Sequence, residues 1–225
     1  LIEKFNVALS PGLTLLPPQE ALGQGTSVLA AGLSEARQGF TPLPAVADEL
    51  LAIAAVVPDR RQLFNETFTN EDFAKSLERK PTNTLHLATH GQFGSSAEET
   101  FILTWDERIG IVELGNLLKR RNRDLSGALE LLVLSACSTA AGDDRATLGL
   151  AGVAVRSGAR STLAGLWPLQ DRAAAAFMRE FYQALARPGI SRAEAVRQAQ
   201  LALMADPQYA EPYLWAPFVL VGNWL

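Results

Sequence analysis

An apolar run leads into the only cysteine of the 225-residue chain in the segment Leu131-Leu132-Val133-Leu134-Ser135-Ala136-Cys137. Four consecutive large apolar residues are typical of a strand that is buried on both faces, as in the interior of a parallel sheet. Small residues, Ser138 and Thr139, follow the cysteine. The segment therefore predicts a core strand that delivers Cys137 to the edge of a sheet.

A second apolar run lies upstream in Leu85-His86-Leu87-Ala88 and is followed by Thr89-His90-Gly91. It predicts a strand that ends at Ala88 and presents His90, 47 residues before Cys137. Because the carboxyl ends of parallel strands open onto one crevice, we expect the two side chains to converge. A thiol beside an imidazole is the arrangement of a cysteine nucleophile and its general acid–base partner.

Each of these residues also has a structural interpretation. A free cysteine is most often buried and inert, and a single histidine does not define a site. Their joint position at the ends of two strands favours the catalytic interpretation. His86 lies inside its run, and we interpret it as a core histidine or one that supports the site from a second layer.

Composition indicates a soluble globular protein, since a chain with 48% hydrophobic residues can bury a sizeable core. The longest apolar stretch, at 50–57, is too short to span a bilayer, so no membrane partner is expected. A net charge of −4 gives no general attraction to nucleic acid. A single cysteine excludes an internal disulfide and fits a reducing compartment, which predicts a cytoplasmic protein.

Strand-like and helix-like segments alternate along the chain, which predicts an α/β fold with a mostly parallel central sheet and helices on both faces. Strands are predicted at 27–31, 62–64, 85–88, 131–136 and 160–164, with a hairpin at 101–111 and a last apolar run at 218–221. Helices are predicted at 45–57, 70–80, from 112, at 148–157, 172–186 and 191–205, with Asn70, Asp171 and Ser191 as candidate caps. The strands at 85–88, 131–136 and 160–164 are expected to end at one edge of the sheet.

Several ordered motifs together resemble the CHAT family, which comprises caspase-like domains associated with tetratricopeptide repeats in the clan of caspases and separase. The motifs are Ala88-Thr89-His90-Gly91, Leu134-Ser135-Ala136-Cys137-Ser138-Thr139-Ala140, residues 145–152, Leu166-Trp167-Pro168 with Asp171, Phe181-Tyr182, Trp215-Ala216-Pro217-Phe218 and Gly222-Asn223-Trp224. In caspases the histidine precedes the cysteine by about 50 residues, as it does here, but their Gln-Ala-Cys signature is absent. The match is therefore to the architecture and not to the caspase signature.

The resemblance implies a caspase-like fold, a dyad of Cys137 and His90, no cofactor, no metal, and regulated, site-selective hydrolysis of a protein substrate. It covers about 43–225, which we take as the caspase-like domain, with 1–42 as an N-terminal strand and loop segment packed on it. Because the chain begins at Leu1, we expect it to come from a longer protein. Upstream tetratricopeptide-type repeats or an activator protein are the expected regulatory partners.

Two backbone N–H groups, those of Gly91 and Cys137, are the candidate oxyanion hole, since both follow strand ends that face the same crevice. Gly91 also fits a plain turn. The candidate substrate-binding residues are Asp171, Ser135 and Trp167. Asp171 could pair with a basic side chain before the scissile bond, as the resemblance to separase implies, or it could cap the helix that begins at Arg172.

Two other functions remain open from the sequence. A catalytically silent interaction module would keep the fold and show ordinary thiol reactivity. A hydrolase or transferase could use the same crevice on a small ester or nucleotide, although no phosphate-binding glycine loop is present. The cysteine endopeptidase is the favoured prediction.

Overall fold

A central sheet organises the computed structural model, which describes residues 1–10, 26–79, 82–93, 96, 98–124, 129–139 and 158–225. Within these residues the sheet has eight strands: β1 (Ser27–Gly32), β2 (Asp59–Phe64), β3 (Thr84–Phe93), β4 (Phe101–Leu103), β5 (Arg108–Gly110), β6 (Leu131–Thr139), β7 (Ser161–Gly165) and β8 (Phe218–Gly222). The helices are α1 (Val46–Val56), α2 (Asn70–Arg79), α3 (Ile111–Asp124), α4 (Asp171–Leu185), α5 (Arg192–Ala205) and α6 (Pro212–Trp215).

The main path of the sheet runs in the order β2-β1-β3-β6-β7-β8. Its first five strands are parallel, and β8 is antiparallel to β7. This confirms the predicted α/β fold with a mostly parallel sheet. The hairpin of β4 and β5 is joined to the sheet through antiparallel pairing of β4 with β3.

Helices cover both faces of the sheet, and strand alternation divides the core accordingly. One face packs α1, α4 and α5 against residues such as Val28 and Val133. The opposite face packs α2 and α3 against their strand neighbours Leu29 and Leu132. Because both faces are covered, the central strands are apolar at consecutive positions, which is the pattern that revealed them in the sequence.

The helix starts differ in two places from those predicted. Thr69, and not Asn70, caps α2, because its hydroxyl accepts the N–H of Asp72 at 3.1 Å. Gln170 caps α4, with its side-chain oxygen accepting the N–H of Ala173 at 2.8 Å, so the prediction that Asp171 caps this helix is wrong. Ser191 caps α5 as predicted.

Two predictions concern other parts of the chain. The motif at 145–152 and the predicted helix at 148–157 lie outside the described residues. The N-terminal segment 1–42 contributes β1, which lies between β2 and β3, and its Leu9 pairs with Val221 beside β8. In the part of the chain that the structure describes, no helix combines the length and apolar character needed to cross a membrane.

Candidate active site

His90 and Cys137 lie on neighbouring parallel strands at the carboxyl edge of the sheet. β3 carries His90 and β6 carries Cys137, and the residue after the histidine, Gly91, is the direct partner of Cys137 in the strand register. Paired backbones are about 4.8 Å apart. The backbone positions of the two predicted dyad residues are thus brought together by the fold.

A β-bulge separates the regular part of β3 from this end. Ala88 pairs with Ser135, but the next pair is Gly91 with Cys137, so Thr89 and His90 together stand opposite Ala136. Without the extra residue, His90 itself would be the partner of Cys137. Bulges in parallel pairs are rare and redirect the residues they contain. Here the bulge places a glycine, which has no side chain, directly opposite the cysteine.

The prediction that the histidine strand ends at Ala88 is wrong, since β3 continues to Phe93. Beyond the bulge its outer side pairs with β4, through Gly91 with Ile102. The buried hydroxyl of Thr89 donates to the carbonyl of Leu103 at 2.9 Å and fastens the bulge to β4. The backbone that carries His90 is therefore supported from both sides.

The imidazole of His90 has a backbone partner that sequence reasoning missed. Its Nε2 lies 2.7 Å from the carbonyl oxygen of Thr41. A carbonyl can only accept a hydrogen bond, so Nε2 carries a proton and Nδ1 is the nitrogen left to exchange one. The ring of Phe40 packs against the imidazole at a centroid distance of 5.0 Å.

The loop between β1 and α1 brings Phe40 and Thr41 to this position. It is closed by a tight turn in which Gln38 and Gly39 have φ values of +49° and +87°, a conformation that glycine adopts without strain. The side chain of Gln38 donates to the carbonyl of Glu107 at 3.0 Å, which joins the loop to the β4–β5 hairpin. No local motif in the sequence signals this contact between residues 49 positions apart.

Asp171 lies beside this site in the first turn of α4. Its Oδ2 accepts the backbone N–H of Ala45, at the start of α1, at 2.9 Å. Burial raises the pKa of Asp171 and the charge of Glu49 adds to the rise, while the Ala45 hydrogen bond and the charges of His90 and Arg172 oppose it. The carboxylate is therefore electrostatically coupled to His90 and stabilises a different helix from the one predicted.

The other two predicted substrate-binding residues have contrasting surroundings. Ser135 has no exposed surface, and its hydroxyl has no hydrogen-bond partner among the described residues. Ser135 is thus buried in β6, and its role in substrate binding stays a prediction. Trp167 is half-buried after β7, stacks on Tyr213 at 6.0 Å and donates its indole N–H to the Tyr213 carbonyl. It remains a candidate at the rim.

A buried polar cluster lies on the face of β3 that packs against α1 and α4. His86, with no exposed surface, has Nε2 at 2.9 Å from Glu49 of α1 and Nδ1 at 3.2 Å from the hydroxyl of Tyr182 of α4. Burial, assisted by the charge of Glu49, raises the pKa of Tyr182 well above its usual value. His86 is thus a core histidine, as predicted, and it joins three elements that surround the site. Among the described residues, no three histidine, cysteine, aspartate or glutamate side chains converge to hold a metal ion.

Two solved structures resemble this arrangement of strands and helices. The Arg specific cysteine proteinase gingipain R aligns with a TM-score of 0.57 at 7% identity, over 88% of this chain and 46% of its own. A complex of the pro- and mature domains of Porphyromonas gingivalis RgpB aligns with a TM-score of 0.58 at 7% identity, over 88% and 47%. This chain spans about half the length of these proteins.

At such low identity the likeness concerns the fold alone. No curated protein matches the sequence significantly. The family model of the CHAT domain, in contrast, matches residues 1–223 and so extends over β1 and the loop that holds Thr41. The sheet order, the structural neighbours and this match lead to one assignment: the chain belongs to the CHAT domain family and has the fold of the caspase-like cysteine proteinases.

Proposed function

We propose that this chain is a cysteine endopeptidase in which Cys137 is the nucleophile and His90 the general acid and base. The observation that carries the proposal is the pairing of Gly91 with Cys137, which sets the two dyad backbones side by side at the carboxyl edge of the sheet. The half-exposed His90, with its proton on Nε2, supports it. The peptidase-like fold gives the proposal its reaction class.

In the first step the thiolate of Cys137 attacks the scissile carbonyl carbon. A carbon–sulfur bond forms, the carbon–nitrogen bond breaks, and protonated His90 gives a proton to the departing amine. Because Nε2 donates to the Thr41 carbonyl, the proton that moves is the one on Nδ1.

In the second step His90, now neutral, takes a proton from water at Nδ1. The hydroxide that forms attacks the thioester, the carbon–sulfur bond breaks, and the thiolate of Cys137 is restored with release of the acid product. In both steps we assign the oxyanion to the N–H groups of Gly91 and Cys137. Their register pairing supports this role, because it sets the two backbones next to each other.

For substrate selection, we propose that Asp171 receives an Arg or Lys side chain on the residue before the scissile bond. The N–H of Ala45 donates to Oδ2, and Oδ1 accepts no hydrogen bond from the described residues, so one oxygen remains for a basic group. The structural neighbour gingipain R is Arg specific by its own description, which supports the same preference here. Trp167 is the proposed apolar wall, and regulation is assigned to upstream repeats or an activator protein.

The test is digestion of a diverse peptide library, with cut sites read by mass spectrometry. We expect wild type and the exposed control Glu78→Ala in α2 to share one set of cuts that Cys137→Ala and His90→Asn lose. Cuts that persist in Cys137→Ala would come from a contaminant and would count against the proposal. Absence of any cut, also with the longest available form of the protein, would favour a silent interaction module.

A further inference from the structure

A cation lies next to the aromatic group that packs on His90. The guanidinium of Arg108, at the start of β5, lies 4.6 Å over the ring of Phe101 and 5.8 Å over the ring of Phe40. Phe40 in turn packs on His90 at 5.0 Å. One aromatic ring therefore separates this charge from the imidazole.

The side of His90 on which Arg108 lies follows from the sheet. β6, with Cys137, pairs with one side of β3, whereas β4 and then β5 extend from its other side. His90 thus lies between the cysteine strand and the hairpin that carries Arg108. A peptide bound across the dyad would extend beyond His90 toward this hairpin.

The chemistry of the proposed reaction determines which half of the peptide extends toward the hairpin that carries Arg108. The half before the scissile bond becomes attached to Cys137, and the half after it leaves as an amine protonated by His90. The segment that follows the scissile bond is therefore the one that passes His90. An extended chain advances about 3.4 Å per residue, so its first three or so residues come within reach of Arg108.

Arg108 has charge available for a ligand. It is exposed, its Nε donates to Gln38 at 3.3 Å, and no carboxylate of the described residues lies within ion-pair distance. The acidic residues of the same hairpin turn face α2 instead: Asp106 accepts the N–H of Asn70 at 2.9 Å, and Glu107 lies 3.4 Å from the Asn70 amide nitrogen. The aromatic rings hold the guanidinium plane in place while its outer nitrogens stay open.

We propose that Arg108 selects substrates with an Asp or Glu side chain within about three residues after the scissile bond. This inference rests on the proposed peptidase function. It gives the enzyme two opposite charge preferences, one on each side of the cut, because Asp171 is assigned to a basic residue before it.

The test compares cut-site profiles of wild type, Arg108→Glu, Arg108→Gln and Arg120→Glu on one peptide library. Arg120→Glu changes the net charge equally on the exposed side of α3 and is the matched control. Because an exposed ion pair is weak, we expect acidic residues after the cut to be favoured about threefold in wild type and in the control. The preference should vanish in Arg108→Gln and invert toward Lys and Arg in Arg108→Glu.

Salt gives a second readout, because screening weakens exposed charge pairs. The wild-type preference should shrink at high ionic strength while the total number of cuts changes less. Cysteine-dependent cutting with the same profile in all four proteins would overturn the role of Arg108 and leave the peptidase intact. Loss of all cutting in both Arg108 variants, with normal folding, would also overturn it, since selection among substrates leaves cleavage itself in place. If wild type cuts nothing, also in the longest available form of the protein, the proposed function fails and this inference fails with it.

Discussion

The carboxylate of Asp171 accepts the backbone N–H of Ala45 at 2.9 Å and so joins the first turn of α4 to the start of α1. α1 follows the loop that supplies the Thr41 carbonyl to His90. The segment after β7 and the segment after β1 are therefore fastened together directly beside the proposed dyad. One side chain can thus affect both substrate selection and the position of the histidine.

Two substitutions separate these roles of Asp171. Asparagine keeps the oxygen that accepts from Ala45, whereas alanine removes it, which costs about 1 kcal/mol for a helix cap. The raised pKa of Asp171 means that burial disfavours its ionised carboxylate. The stability contributed by the protonated carboxyl is therefore complete below the unfolded pKa and is lost as the pH rises through the folded pKa. At pH 7 we expect Asp171→Asn to unfold in denaturant no earlier than wild type and Asp171→Ala to unfold earlier.

The same pair of variants tests the pocket. If the charge of Asp171 holds a basic side chain, Asp171→Asn should lose the preference for Arg and Lys before the cut while it keeps wild-type stability. An unchanged preference in Asp171→Asn would reduce Asp171 to a cap for α1.

Phe40 should affect turnover more than substrate binding. Its ring packs on His90, and aromatic pairs contribute about 0.5–1.5 kcal/mol, so Phe40→Ala should lower kcat about 2- to 10-fold. Phe40→Leu keeps apolar bulk and should lose less. The measurement is steady-state kinetics on one cleaved peptide, and a rise in KM at constant kcat would instead mean that Phe40 contacts substrate.

The single cysteine permits a direct measurement of dyad coupling, because any alkylation reports on Cys137 alone. A nearby imidazolium favours the thiolate, which is the reactive form. At pH 6 we expect iodoacetamide to modify wild type at least about tenfold faster than His90→Asn. The same chain in denaturant supplies the intrinsic rate of an unperturbed thiol, and equal rates in the two folded proteins would remove His90 from the mechanism.

The cluster of Glu49, His86 and Tyr182 predicts an alkaline dependence of stability. Because the folded pKa of Tyr182 is raised, the contribution of its proton is complete below about pH 10, the unfolded value, and is lost as the pH rises above it. Tyr182→Phe should cost about 1 kcal/mol at pH 7, since it leaves Nδ1 of His86 unpaired. We expect the free energies of unfolding of wild type and Tyr182→Phe, measured in denaturant from pH 7 to 11, to approach each other as the pH rises. A constant difference between the two proteins would contradict a raised pKa of Tyr182.

The apolar runs that end before His90 and Cys137 were sufficient to predict two adjacent buried strands, because a strand covered on both faces requires consecutive apolar residues. The far half of β3 could not be predicted in this way. Thr89, His90, Gly91 and Gln92 are polar or small and indicate a turn by local preference. Their extended conformation comes from pairing with β4, which is a tertiary effect.

Other discrepancies have equally specific causes. β2 begins at Asp59, earlier than predicted. Its first residues are charged and exposed because β2 lies at the edge of the sheet, so they lack the apolar pattern by which the other strands were recognised. Two helix caps were misassigned by one position: Thr69 caps α2 in place of Asn70, and Gln170 caps α4 in place of Asp171. Both residues of each pair are polar, so the local sequence does not distinguish them. The neighbouring positions of His90 and Cys137 could be predicted from strand ends, whereas the tautomer of His90 depends on a distant loop.

That loop has a consequence for the comparison of related proteins. The oxygen that fixes the His90 proton is a main-chain atom, which every amino acid carries, so no substitution at position 41 deletes it and no alignment can score its presence. Only a shift of the peptide path between Gly32 and Val46 can withdraw it. A relative could therefore retain both the cysteine and the histidine and still lose turnover through an insertion or deletion in this connection. We therefore expect the length of this connection, and not only the identity of residues 90 and 137, to matter for the proposed dyad in relatives of this chain.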